Sequence, residues 1–175
     1  MPPDKTGQGM PLLAELRERA DNPVDVIEQI ALRNGWAFER DDEDEISISV
    51  TGRWCEYQMS FTWLAEMEAL HLGCAFDLSV PERRRSEIVH LIGRLNEQMW
   101  VGHFDLWTSG NAVMFRHALL LAGGAYPSSD QCETAMKIAV EACERYYQAF
   151  QFVVWAGKSA AEALDTAMFE TAGEA

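Results

Sequence analysis

Segments with two different hydrophobic periods follow one another along this sequence in a fixed order. Val24, Ile27 and Ile30 recur at helical spacing, whereas Ile46 and Ile48 belong to a stretch in which every second residue is apolar. Along the chain, the order is a helix, three strands, a helix, two strands and a long carboxy-terminal helix. This order predicts a single α+β domain in which helices pack against a mainly antiparallel, five-stranded sheet.

Local sequence signals mark where the three main helices begin or end. Asn22, followed by proline, is a typical N-cap residue, and Gly35 can end the helix that begins there. Pro81 predicts the start of the second helix, which Gly102 is expected to close. Ser128, with a glutamine three residues later, forms the capping-box pattern and predicts the start of the long helix.

Alternating apolar residues define the strands. The acidic run at residues 41–45 is expected to be a solvated turn before the first of them. The last strand is apolar on both sides near its end, as in a strand that is covered on both faces. The five predicted strands are residues 46–51, 55–61, 69–79, 103–108 and 112–121.

The domain is predicted to span residues 22–170. Residues 1–21 are expected to be a mobile amino-terminal segment, in which Leu12, Leu13 and Leu16 have the spacing of one side of a short helix. Residues 171–175 are expected to be a mobile tail. The length leaves no room for a second domain.

The charge of the chain is one-sided. It has 28 acidic and 14 basic residues, for a net charge of −14. Such a surface repels phosphate groups, so neither nucleic acid nor an anionic membrane is an expected partner. No apolar run has the length that a membrane-spanning helix needs.

The four cysteines give no disulfide or metal signature. Cys55, Cys74, Cys132 and Cys143 include no C-x-x-C pair, and no paired histidines stand at zinc spacing. No secretory signal is recognisable at the start of the sequence. We therefore expect a reduced, cytoplasmic protein with buried thiols and no metal site.

No catalytic or cofactor-binding motif stands out. The four histidines lie in predicted strands or helices without a nucleophile motif, and no glycine-rich phosphate loop is present. The chain is therefore expected not to be an enzyme and to bind no cofactor. Two alternatives remain. One is an uncharacterised enzyme that uses His103, Asp105 and Arg116 across a predicted hairpin, and the other is a small-ligand sensor with a pocket between the sheet and the long helix.

Large aromatic side chains suggest a protein-binding surface. Six tryptophans are many for one sheet to bury, so some of them are expected at an interface with a partner or a second copy. The predicted partner-binding residues are Trp54, Tyr57, Trp63, Trp107 and Arg116.

Several short segments also resemble a known protein family. They include Gly-Trp-Ala-Phe at residues 35–38 and Gly-His-Phe-Asp-Leu-Trp at residues 102–107. Further segments are residues 81–85, 95–98, 114–120, 143–147 and 150–155. They resemble the YbjN family, described as bacterial sensory transduction regulators, over residues 24–170.

The order of the elements is similar to that of the type III secretion chaperones, small acidic cytoplasmic proteins that usually dimerise and bind unfolded segments of secreted partners. The two resemblances imply a chaperone-like fold and a non-enzymatic regulatory or adaptor protein. They also imply that the protein is a homodimer and binds another protein, whose identity the sequence does not reveal.

Overall fold

The computed structural model describes residues 22–172, with side chains up to residue 168. The predicted amino-terminal segment, residues 1–21, lies outside the described residues, and so does most of the predicted tail, at residues 173–175.

Four helices and six strands make up the described part of the chain. The helices are α1 (Pro23–Asn34), α2 (Arg85–Asn96), α3 (Ser129–Val154) and α4 (Ala160–Ala172). The strands are β1 (Ala37–Asp42), β2 (Glu45–Thr51), β3 (Glu56–Leu64), β4 (Ala69–Ser79), β5 (His103–Trp107) and β6 (Ala112–Leu120). Short 3-10 turns, Ala65–Met67 and Glu82–Arg84, precede β4 and α2. The strands form one sheet in the order β1-β2-β3-β4-β6-β5, and all neighbours are antiparallel.

The prediction of five strands is wrong, because the sheet has six. The missed strand is β1, whose sequence is rich in charged residues that strands usually disfavour. Arg40 explains why it forms. Its Nη1 donates to Asp25 at 3.0 Å and to Glu28 at 2.7 Å, both on α1. A tertiary ion pair thus holds β1 under the helix, and the predicted acidic turn shrinks to the β1–β2 connection.

The predicted cap residues of two helices are confirmed. The Asn22 side chain accepts a hydrogen bond from the Val24 amide at 2.9 Å, and Gly35 ends α1 with a left-handed φ of 67°. Ser128 and Gln131 form both hydrogen bonds of the capping box at the start of α3.

The predicted end of the second helix is wrong. α2 stops at Asn96, and Gly102 instead leads into β5 with a φ of 70°. The Asn96 side chain explains the early end. Its amide donates to the Phe104 carbonyl at 3.0 Å and accepts from the Phe104 amide at 2.8 Å, so it joins the helix end to β5.

The helices cover one face of the sheet, which we call the inner face. Its side chains form the hydrophobic core with α1, α2, α3 and α4. Phe104 lies at the centre, with ring centroids 5.3 Å from Phe150, 5.9 Å from Phe115 and 6.0 Å from Tyr146. The buried inner-face residues are Ile46, Ile48, Tyr57, Met59, Phe61, Leu70, Leu72, Cys74, Phe76, Leu78, Phe104, Val113 and Phe115.

Candidate functional site

The opposite face of the sheet, which we call the outer face, adds no side chain to the core. Strand side chains alternate between the two faces, so every inner-face residue has outer-face neighbours in sequence. Among the described residues, the core cluster and the partly buried apolar residues packed against it include no residue of this face, and Ala69 is the one buried apolar side chain on it. Apart from Met114, its central residues are short or polar: Ser47, Ser49, Gln58, Ser60, Thr62, His71, Gly73, Ala75, Arg116 and Ala118. The face is therefore a surface that folding alone does not use.

A polar cluster lies on the outer face in the half of the sheet that ends at β5, and three strands build it. Arg116 on β6 donates from Nη1 to the Asp105 carboxylate of β5 at 2.9 Å and from Nε to Nε2 of His71 on β4 at 3.2 Å. In register, Arg116 stands between Gly73 and His103. Since Gly73 has no side chain, the guanidinium has room to reach His71 across β4.

His71 is held in its neutral form. Burial and, after it, the neighbouring Arg116 lower the pKa of the His71 imidazole below its usual value. Its Nε2 accepts from Arg116, which requires the ring proton to be on Nδ1. The cluster is therefore an ion pair between Arg116 and Asp105, supported by a neutral histidine.

Charge on the rest of the outer face is acidic. Glu39, Glu45, Glu56 and Asp77 are all exposed at outer-face positions of the strands. Among the described strand residues, Arg116 is the one arginine or lysine on this face, because Arg40 faces α1. A partner of this face would thus meet mostly carboxylates.

Two of the buried thiols, those of Cys132 and Cys143, are poor nucleophiles. Cys74 and Cys143 are buried with their Sγ atoms 3.7 Å apart, and the hydrogen bond to Cys74, together with burial, raises the pKa of Cys143. Burial raises the pKa of Cys132 to about 11. The thiols of Cys143 and Cys132 are therefore protonated at neutral pH. Over residues 22–168, no group of acidic, histidine or cysteine side chains could hold a metal ion.

Two of the five predicted partner-binding residues lie on the outer face. Trp107, at the end of the edge strand β5, is 53% exposed, and the Arg116 side chain is 40% exposed. Because side chains alternate along β5 and β6, Trp107 lies on the same face of the sheet as Arg116 and the rest of the polar cluster. The three residues His103, Asp105 and Arg116, named for the alternative enzyme, are also neighbours there.

The other three predicted residues lie on the helix side. Trp54 donates from Nε1 to the Glu144 carbonyl at 3.2 Å and stacks on Tyr147 of α3. Trp63 is partly buried against the core. Tyr57 has no exposed surface, and burial raises the pKa of its hydroxyl. The folded chain therefore leaves Tyr57 no surface with which to touch a partner.

Sequence reasoning missed two of the most exposed apolar side chains. Leu120 on β6 is 75% exposed, and Trp100, in the connection between α2 and β5, is fully exposed. The sequence did contain a signal for Leu120, because the end of its strand is apolar on both sides. Since the helices cover only one face of the sheet, an apolar residue on the other side is left exposed. For Trp100 the sequence gives no signal beyond the high tryptophan count.

No helix within residues 22–172 combines the length and the apolar character that crossing a membrane requires.

Similarity to known proteins places this architecture in a family. A chain in the crystal structure of the ExsC–ExsE complex is similar to this one, with a TM-score of 0.48 and 17% sequence identity. The similarity covers 70% of this chain and 88% of that chain. No curated protein matches the sequence significantly. The family model YbjN, described as "Putative bacterial sensory transduction regulator", matches residues 23–152, from the start of α1 to near the end of α3. This chain belongs to the YbjN family.

Proposed function

We propose that this protein is a non-enzymatic regulator or adaptor of the cytoplasm that acts as a homodimer and binds another protein, both through the outer face of its sheet. One observation carries the proposal. The outer face contributes nothing to the core, yet Trp107 and Leu120 are exposed on it. Exposed apolar side chains with no role in folding are typical of binding surfaces.

The distribution of side chains supports a protein partner. Interfaces are commonly anchored by tryptophan and arginine, and the outer face presents Trp107 and Arg116 on adjacent strands. Its acidic positions favour a partner segment with basic side chains. The description of the family as a sensory transduction regulator fits the same role.

The absence of catalysis is part of the proposal. The guanidinium of Arg116 is already bound to Asp105 and His71, and the thiols of Cys132 and Cys143 are protonated. These contacts support a structural and recognition role for the cluster.

Light scattering across a dilution series tests the assembly. We expect a mass near twice 19.7 kDa for the wild-type protein. Trp107→Ala should shift the dimer towards monomer at a given concentration, because truncating an interface tryptophan typically weakens binding at least tenfold. Trp155→Ala is the matched control, since Trp155 is 66% exposed but lies after α3, away from the outer face.

Two results would contradict the proposal. One is a wild-type protein that is monomeric at every concentration. The other is a Trp107→Ala variant whose melting temperature falls while its mass stays unchanged, because Trp107 would then serve the fold and not the interface.

A further inference from the structure

One end of the outer face is apolar, in contrast to its polar centre. Leu64 on β3, Ala69 on β4 and Leu120 on β6 pair in a single cross-strand row, which we call the leucine row. Leu64 and Leu120 are two strand spacings apart, about 10 Å, with the small Ala69 between them. Ala69 is only 1% exposed, so the described residues already close the centre of the row, and its open surface is that of the two leucines.

The described residues leave both leucines of this row exposed. Leu120 is 75% exposed and Leu64 38% exposed, and Met67, in the turn that follows Leu64, is 66% exposed. Three large apolar side chains in water at one place are unfavourable unless something covers them.

The chain outside the structure enters at this end of the sheet. The Asn22 side chain donates to the Asp44 carboxylate at 2.7 Å, and the Asp44 carbonyl accepts from the Trp63 amide at 2.8 Å. Trp63 directly precedes Leu64. Residue 22 is thus separated from the leucine row by only two hydrogen-bonded contacts, on the side where β3 ends and β4 begins.

The 21 residues before Asn22 contain an apolar stripe of suitable length and position. Leu12, Leu13 and Leu16 recur at helical spacing. Leu16 lies six positions before Asn22, and even an extended chain of that length reaches only about 20 Å. The tether therefore keeps the stripe close to the leucine row.

We propose that residues 11–19 of the same chain dock on the leucine row, with Leu12, Leu13 and Leu16 covering Leu64 and Leu120. The attachment at Asn22 favours this occupant over a second copy, because a short tether gives an effective concentration in the millimolar range.

Charges around the row agree with this occupant. Arg17 and Arg19 follow Leu13 and Leu16 by four and three residues, so on a helix they flank the leucine stripe. Glu45 pairs in register with Thr62, two residues before Leu64, and Glu66 follows Leu64. Both glutamates are exposed beside the row and can pair with these arginines.

The docked segment also has a regulatory consequence, which rests on the proposed function. A partner that uses this end of the outer face must displace the chain's own residues first. Partner binding would then be weaker for the full chain than for a variant whose segment cannot dock.

Cysteine cross-linking in the full chain tests the docking. Leu13→Cys together with Leu120→Cys should form a disulfide within one chain under mild oxidation, at least about tenfold faster than the control pair Leu13→Cys with Val89→Cys. Val89 is 53% exposed on α2, on the helix side of the sheet. Adding Leu12→Asp and Leu16→Asp to the first pair should abolish the cross-link, whereas Glu15→Gln and Glu18→Gln should leave it intact.

The outcomes separate the occupants. A cross-link within one chain that is lost with the leucines supports the proposal. A cross-link that doubles the mass overturns it in favour of a second copy, and a yield no greater than that of the control pair overturns it altogether. Light scattering on the cross-linked chain measures its oligomeric state separately. The docking proposal and the dimer proposal can therefore fail independently.

Discussion

The two faces of the sheet differ in what their side chains do, although they share the same strands. On β6, Phe115 has no exposed surface and packs on Phe104, whereas the next residue, Arg116, is partly exposed and bridges to β4 and β5. A step of one residue thus separates a side chain that stabilises the fold from one that is available for recognition. Stability and recognition can therefore be altered separately, and variants at neighbouring positions should show it.

The largest contrast is expected between neighbours on β6. Phe115→Ala should lower the free energy of unfolding by about 3–5 kcal/mol, because it removes a fully buried ring from the aromatic core. Met114→Ala, on the outer face, should cost less than about 1 kcal/mol. Urea denaturation followed by circular dichroism measures both. Equal losses for the two variants would show that a further layer covers the outer face.

Gly102, next to the inner-face residue Phe115, should be more sensitive to substitution than Gly157. A Cβ added to Gly102 would lie 2.1 Å from the Phe115 ring, and Gly102 has a φ of 70°. Gly157 has the same φ with nothing within 4 Å of an added Cβ. Gly157→Ala should therefore cost about 1 kcal/mol for backbone strain alone, and Gly102→Ala about 1–3 kcal/mol more for the clash. Thermal melts of the two variants measure this difference. Similar losses of stability in both would mean that the Phe115 ring moves aside freely.

A smaller loss of stability is expected when the contacts between α2 and the edge strand β5 are removed. Asn96→Ala removes both hydrogen bonds that its amide makes to Phe104, and we expect a loss of about 1–2 kcal/mol. Asn34→Ala is a matched control, because Asn34 donates only to the Ile30 carbonyl of its own helix. The freed backbone groups of β5 should also increase self-association, since an uncovered edge can pair with another strand. A stable, unassociated Asn96→Ala variant would show that water replaces the amide without loss.

The smallest effect is a pH dependence from the outer face. The pKa of His71 is lowered by burial first and by Arg116 second, so the unfolded chain binds protons more readily than the folded one. The stabilisation is complete above the unfolded pKa of about 6.5 and is lost as the pH falls through that value towards the folded pKa. His117, whose pKa is lowered mainly by burial, acts in the same direction.

Denaturation curves between pH 8 and pH 5 would measure this dependence. The acid-induced loss should be smaller in His71→Gln than in the wild-type protein. His90→Gln, at an exposed position of α2, should follow the wild-type curve. An unchanged slope in His71→Gln would place the dependence elsewhere.

Elements that depend on local signals could be predicted from the sequence. Asn22 and Ser128 cap helices through contacts with residues two or three positions away, and both helices begin where the sequence predicts. β1 could not be predicted in this way, because the contact that holds it joins Arg40 to α1. The end of α2 has the same explanation, since Asn96 is held by Phe104 in the next strand.

For the candidate site, the sequence revealed alternation but not which side the helices would cover. Tyr57 and Trp107 both lie in alternating segments, yet one is buried under α3 and the other is exposed at the sheet edge. The choice between the faces depends on how the helices cross the sheet, and no local pattern encodes it. Leu120 shows the one available clue, an apolar residue out of phase with the inner face.

The strand order also has a consequence for how the chain folds. β1 to β4 follow one another as a simple meander, and β5 and β6 form their own hairpin, but β4 pairs with β6 across the whole length of α2 and β5. The first two units bring together residues that are near in sequence, whereas the β4–β6 seam closes a long loop and should form late. We expect substitutions at seam positions such as Ala75 to speed unfolding with little effect on the refolding rate, which stopped-flow kinetics can measure. Until β4 pairs with β6, the molecule would consist of two half-sheets in which the seam edges of β4 and β6 are unpaired. At this stage the chain would be most prone to aggregation.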